Sequence, residues 1–95
     1  MRSKQHRTHV LAVSAVTDNT GFWNALKKAH GRLPAGAKWT FAVASTDGGT
    51  AVNIIALDAA DAVARVSAFL EEYAAPHAAT TYLEADAANA VGLAG

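Results

Sequence analysis

The chain has 95 residues, 52% of them hydrophobic and 17% charged, with no cysteine and no formal net charge. This composition indicates one folded domain and excludes a disordered tail, which would be poor in apolar residues and rich in net charge. The lack of cysteine excludes disulfides, thiolate nucleophiles and cysteine-bound metal clusters. Zero net charge argues against a nucleic-acid partner. No apolar run is long enough to span a membrane, so we expect a cytoplasmic protein with no membrane partner.

The first 38 residues predict an arm, a strand and a helix. Residues 1–8 are polar and basic and form the expected arm, which precedes a single domain over residues 9–95. Residues 9–17 are rich in β-branched side chains and predict a buried strand. Residues 18–21 offer several N-cap oxygens, and Pro34 ends the helix that they begin. Two stripes run along that helix at helical spacing. The apolar stripe is Phe22, Ala25, Leu26, Ala29 and Leu33, and the flanking stripe is Trp23, Lys27 and His30.

The middle of the chain predicts a β-hairpin. Residues 38–45 alternate large and small side chains, so we expect Trp39, Phe41 and Val43 on one face of a strand. An Asp-Gly-Gly turn follows within residues 46–49, and residues 51–57 form the return strand. Asn53 is the polar residue of this otherwise apolar return strand.

The rest of the chain predicts a second helix and a last strand. Residues 58–61 carry two aspartates that favour a helix start, and Pro76 ends the helix. Residues 79–85 predict a strand, and residues 86–91 predict one helical turn. The resulting βαββαβ order predicts an α+β, ferredoxin-like fold with a four-stranded antiparallel sheet and both helices on one face.

Both faces of the predicted strands are apolar, although two helices cover only one face of a sheet. The first strand offers Leu11 and Val13 on one side and Val10 and Ala12 on the other. A sheet face exposed to solvent would carry mainly polar side chains. We therefore expect a homodimer in which two sheets pack face to face, with room for a small apolar ligand between them. The sequence leaves open which strand face meets the partner.

This arrangement resembles the dimeric α/β-barrel superfamily, and within it a bacterial branch related to antibiotic-biosynthesis-type monooxygenases. The segments that carry the resemblance are Gly21-Phe22-Trp23, Leu33-Pro34, residues 45–48, residues 81–86 and residues 90–93. The resemblance implies a dimeric barrel. The superfamily also includes haem-degrading enzymes, muconolactone isomerases and stress-response proteins, so the fold leaves the function open.

The resemblance implies that amide, aromatic and imidazole groups inside the barrel would bind a substrate and stabilise its anion. The candidate catalytic residues are Asn53 and His77, because an amide can donate to an oxyanion and an imidazole can take a proton near neutral pH. The candidate ligand-binding residues are Trp39, Asn53, Tyr82, Thr40 and Ser14. Each also has an ordinary structural interpretation, as a core aromatic or as a satisfied buried polar group.

We expect neither a metal nor a cofactor. His6 and His9 point to opposite faces of an extended chain, with Lys4 and Arg7 nearby to repel a cation. Haem would need an axial ligand, for which His77 and His30 are equal candidates. The expected function is therefore that of a small homodimeric protein that binds an apolar molecule between its sheets or serves as an accessory or assembly module. The alternative is a cofactor-independent monooxygenase or isomerase that acts on an aromatic or polyketide-like substrate.

Overall fold

The computed structural model describes residues 8–86, which form a four-stranded antiparallel sheet and two helices. The elements are β1 Thr8–Val16, α1 Asn19–His30, β2 Ala37–Ala44, β3 Thr50–Leu57, α2 Ala62–Ala74 and β4 Ala78–Glu84. The strand order in the sheet is β2-β3-β1-β4. The α+β, ferredoxin-like arrangement is thereby confirmed. The predicted arm, apart from Thr8, and the predicted helical turn, apart from Asp86, lie outside the described residues.

The hydrophobic core lies between one face of the sheet and the two helices. Phe22 and Leu26 of α1 and Leu70 of α2 are buried against the sheet residues Val10 and Ile55. Burial of these side chains supplies the main driving force for folding, since removing apolar surface from water is favourable in proportion to its area. The apolar stripe predicted on the first helix therefore packs on the sheet, and the buried side chains of α2 pack there as well.

The start of α1 is joined to the start of β4. Asp18 caps α1 by accepting a 3.1 Å hydrogen bond from the Gly21 amide. The second oxygen of the same carboxylate lies 3.1 Å from His77 Nδ1. The backbone carbonyl of His77 accepts hydrogen bonds from the amides of Thr17 and Asp18. This cluster fixes the position of α1 relative to β4 at one edge of the sheet.

The start of α2 differs from its predicted form. The helix begins at Ala62, and the preceding Asp61 makes no side-chain capping bond. Its carboxylate instead accepts a 2.7 Å hydrogen bond from Nε of Arg65, one turn further along the helix. Because both side chains are exposed, this ion pair contributes little to stability.

A β-bulge at Thr40 changes which residues of β2 share a face. Trp39 pairs with Ile55 of β3, and Phe41 pairs with the next residue back, Ile54. Thr40 is the extra residue, and such an insertion reverses the alternation of side chains beyond it. The expectation that Trp39, Phe41 and Val43 share a face is therefore wrong. Trp39 lies on the helix-covered face, and the other two lie on the opposite face.

The β2–β3 turn is held by the side chain of Asp47. Its Oδ1 accepts hydrogen bonds from the Gly49 amide at 2.8 Å and from the Ser45 hydroxyl at 2.7 Å. These two bonds favour the ionised carboxylate and lower the pKa of Asp47 below its ordinary value. Gly48 has a φ of +75°, a left-handed conformation that favours glycine. The predicted hairpin is thus present with its predicted turn chemistry.

Gly21 is required by the close approach of Asp18 and His77. A Cβ at this position would lie 2.6 Å from His77 Nδ1 and closer still to Asp18 Oδ2. We expect Gly21→Ala to lower the free energy of unfolding by about 1–3 kcal/mol, because the Asp18–His77 pair must separate or α1 must shift. Urea denaturation measures this change.

Gly31→Ala is the matched control. At Gly31 the nearest atom to a new Cβ is a backbone oxygen at 3.6 Å, and φ is −71°. We expect this variant to be unchanged or more stable by about 0.4–1 kcal/mol, since alanine restricts the unfolded chain. Equal losses in both variants would contradict the close-approach explanation.

Candidate functional site

Four of the five candidate ligand-binding residues lie on the helix-covered face of the sheet. Ala12 of β1 lies in register with Asn53 on one side and with Tyr82 on the other, and Ala12 itself is buried in the core. Ser14 has the same orientation two residues further along β1, and Trp39 joins this face through its pairing with Ile55. The fifth, Thr40, is the bulge residue and donates a hydrogen bond to the Ile54 carbonyl.

Asn53 is fully buried and forms a hydrogen bond with Trp39. Its Oδ1 accepts a 3.0 Å hydrogen bond from Trp39 Nε1, and its Nδ2 has no hydrogen-bond partner. A donor left unpaired in the core opposes folding, whereas the bond to the indole supports it. Nearby, the hydroxyls of Ser14 and Thr80 share a 2.7 Å hydrogen bond. These polar groups of the helix-covered face therefore bond largely to one another.

Tyr82 joins β4 to α2. Its hydroxyl donates a 2.7 Å hydrogen bond to Glu71 Oε2. Burial of the phenol, followed by the hydrogen bond and the negative charge of Glu71, raises the pKa of Tyr82 far above its ordinary value. The phenol therefore stays neutral and donates a hydrogen bond across a wide pH range. This arrangement serves packing of the helix on the sheet.

His77 lies just before β4, beside Asp18 and away from Asn53. Asn53 is opposite Ala12 on β1, whereas β4 begins with Ala78 opposite Val16. Standard strand spacings place these positions about 13 Å apart along the sheet and about 10 Å apart across it. The two catalytic candidates therefore do not meet in one site. His77 instead borders a groove of about 360 Å³ that Lys28 and Tyr73 also line.

Beyond the end occupied by His9, Ala56 and Lys38, the second face of the sheet carries no charged side chain in strands β1–β4. We call it the open face, and its residues are Leu11, Val13, Ala15, Phe41, Val43, Val52, Ile54, Ala79, Thr81 and Leu83. Phe41 and Val43 are each 47% exposed, and Leu83 is 51% exposed. At one end of this face His9 is buried, and neither of its ring nitrogens has a hydrogen-bond partner. A contiguous exposed apolar surface of this kind marks an interaction site.

A second feature is a groove of about 500 Å³ between α1 and the edge strand β2. We call it the α1–β2 groove, and its lining residues are Trp23, Leu26, Lys27, His30, Trp39, Thr40, Phe41 and Ala42. Sequence reasoning singled out the stripe of Trp23, Lys27 and His30 without assigning it a site. The helical spacing of these three residues is visible in the sequence, but their packing against β2 depends on the fold.

The histidines considered as metal or haem ligands are dispersed. His30 borders the α1–β2 groove, His77 binds Asp18, and His9 is buried. His6 lies outside the described residues. Between residues 8 and 86, no group of three or more histidine, aspartate or glutamate side chains is placed to hold a metal ion.

Comparisons with known proteins assign no family. No protein-family model, no curated protein and no solved structure matches the chain. In the part of the chain that the structure describes, no helix is long and apolar enough to cross a membrane. The functional argument therefore depends on the geometry of this molecule.

Mutation of Asn53 tests the structural role of its buried amide. We expect Asn53→Ala to lower the free energy of unfolding by about 2–4 kcal/mol, because it removes the acceptor of Trp39 and leaves a void. The exposed Asn24 on α1 is the control, and Asn24→Ala should change stability by less than about 0.5 kcal/mol. Similar unfolding curves for both variants and the parent chain would contradict the structural role.

Ionisation of the Tyr82 phenol should lower the stability of the protein at alkaline pH. Since the folded pKa lies above the unfolded one, its contribution is complete below about pH 10 and declines above it, as the unfolded phenol ionises first. We expect the decline in unfolding free energy between pH 10 and 11 to be shallower in Tyr82→Phe than in the parent chain. Lysine titration is common to both proteins and cancels in the difference. Parallel pH profiles would contradict the raised pKa.

Proposed function

We propose that the protein functions as a homodimer in which the open faces of two sheets pack together, as in the dimeric α/β-barrel superfamily. The observation that carries the proposal is the uncovered apolar surface of the open face. Two helices protect the other face, whereas Phe41, Val43 and Leu83 remain about half exposed in a single chain. Association of two copies would remove this surface from water, which is favourable in proportion to the apolar area buried.

The size of the open face supports a protein interface. Four strands about 4.8 Å apart and about seven residues long have a footprint of roughly 450 Å². Exposed apolar patches of about 300–600 Å² are the largest on typical monomers and are often functional. Sheets that pack face to face lie about 10 Å apart, with interdigitated side chains between them.

The chemistry of the open face favours a second copy as its partner. The strands place a single charged side chain on this face, Lys38 at one end, so it offers little charge for a partner of opposite charge to match. A two-fold dimer requires only that a surface complement itself. Apolar side chains of mixed size, such as Phe41, Val43 and Leu11, can interdigitate with their symmetry mates. A copy of the chain is also present wherever the chain is made.

The dimer is best understood as an assembly module, or as a protein that holds a small apolar molecule between its sheets. Support comes from the position of the polar candidates, since Asn53, Tyr82 and Ser14 lie under the helices. The layer between two open faces would then be lined by apolar groups and by Thr81, with His9 and Lys38 at one end. General acid–base chemistry needs a titratable group close to the substrate. The alternative, a monooxygenase or isomerase that uses Asn53 and His77 between the sheets, lacks this support, because Asn53 lies under the helices and His77 lies before β4.

Two neighbouring isoleucines of β3 provide the test. Ile54 lies on the open face, and Ile55 is buried in the core. We expect Ile54→Asp to weaken the dimer at least about 100-fold while the chain stays folded, because two-fold packing would bury two unpaired carboxylates. Ile55→Asp should unfold the chain, because it would bury an unpaired carboxylate in the core of each copy. Sedimentation velocity and circular dichroism measure association and folding.

The exposed position Ala64 on α2 supplies a control for the added charge. We expect Ala64→Asp to sediment as the parent chain does. A monomeric parent chain at micromolar concentration would overturn the proposal, as would an Ile54→Asp variant with unchanged dimerisation. Native mass spectrometry of gently purified protein separates the two forms of the proposal. A bound apolar molecule supports ligand binding, and a ligand-free dimer supports assembly.

A further inference from the structure

We propose that the α1–β2 groove is a binding site for a planar aromatic carboxylate, held between two tryptophans and a lysine. Trp23, Lys27 and His30 place the groove on the helix-covered side of the sheet, and it shares Phe41 with the open face. Its volume of about 500 Å³ lies within the range of small-molecule sites.

Both tryptophans of the groove are fixed in orientation by asparagine side chains. Trp23 Nε1 donates a 3.1 Å hydrogen bond to Asn19 Oδ1, and Trp39 Nε1 donates a 3.0 Å bond to Asn53 Oδ1. With both indole N–H groups bonded to protein side chains, each ring borders the groove with apolar and π surface, and the His30 ring lies 5.8 Å from that of Trp39. Neither ring is fully buried. Two pre-oriented indoles favour a flat aromatic ligand, since ring pairs gain energy beyond the area that they bury.

The charge of the groove favours an anion. Lys27 and His30 border it, and both are exposed side chains of the last turn of α1. The ion pairs found within residues 8–86 join Arg65 to Asp61 and His77 to Asp18, and neither involves Lys27. The groove lining contains no acidic residue. An ammonium beside an aromatic surface fits a carboxylate attached to a flat ring, because a charge-assisted bond is stronger than a neutral one.

An added peptide strand fits the groove less well than a small molecule. Strand addition needs an edge with a regular ladder of free backbone groups. β2 is an edge strand, but the bulge at Thr40 interrupts it next to the groove, and Lys38 precedes the bulge. Bulges and lysines on edge strands are features that oppose pairing with another chain. The Trp-lined surface between α1 and β2 is open to solvent, and it accommodates a compact ligand better than an added strand.

The full-length chain can be titrated with 2-naphthoate, a planar aromatic carboxylate, and followed by ¹H–¹⁵N NMR. Trp23 and Trp39 are the only tryptophans, so their two indole N–H signals report on the groove directly. We expect both signals to shift saturably. The neutral analogue 2-naphthylmethanol should bind at least tenfold more weakly, because it keeps the ring and lacks the charge.

Adjacent lysines provide matched variants. Lys27 lines the α1–β2 groove, and Lys28 lines the separate groove beside His77. We expect Lys27→Met to weaken binding of 2-naphthoate at least tenfold and Lys28→Met to change it less than twofold. Trp23→Leu should abolish the shift of the remaining indole signal. Circular dichroism of each variant confirms that it is folded.

Three results would overturn the proposal. The first is an absence of saturable shifts at millimolar 2-naphthoate. The second is equal weakening by Lys27→Met and Lys28→Met, which would show only a general charge effect. The third is equal affinity for 2-naphthylmethanol, which would show that the carboxylate is not recognised. Sedimentation of the same samples shows whether the dimer persists, so failure of the groove site is distinguishable from failure of the dimer.

Discussion

The central constraint on this protein is that two helices must cover a four-stranded sheet whose two faces are both apolar. The helices pack on the face that carries Val10, Ile55 and the buried Asn53. This choice leaves the open face without a cover in the single chain. The open face is exposed because two helices are too few to cover both faces of the sheet. The proposal that a second copy covers it follows from this exposed apolar area.

The bulge at Thr40 decides how β2 serves these two faces. A regular strand would turn Trp39 to the same side as Phe41 and Val43. Because of the extra residue, Trp39 lies under α1, where Asn53 accepts a hydrogen bond from its indole. Phe41 and Val43 lie on the open face. The bulge thus places Trp39 in the α1–β2 groove and two large apolar side chains at the proposed dimer interface.

The polar side chains that bond across elements act mainly to position those elements. Asn53 orients Trp39, Tyr82 joins β4 to α2 through Glu71, and Asp18 joins α1 to His77. Residues that looked suited to catalysis in the sequence are thereby used in packing. The proposed groove site is of a different kind, since recognition there would depend on oriented ring surfaces and on the ammonium of Lys27. Such a site binds without needing a general acid or base.

Local patterns in the sequence determined the order of elements, the faces of β1, the apolar stripe of α1 and the Asp47 turn, because each depends on neighbours within a few residues. Thr40 shows where this reasoning ends, since a bulge depends on register with β3. The meeting of Trp23 with Trp39, and of Asp18 with His77, depends on how distant elements pack. The separation of Asn53 from His77 likewise follows from the strand order β2-β3-β1-β4. The sequence by itself therefore determined which residues have surfaces to bury, and the tertiary structure decided which of them share a site, because contacts between distant segments are set by packing and register.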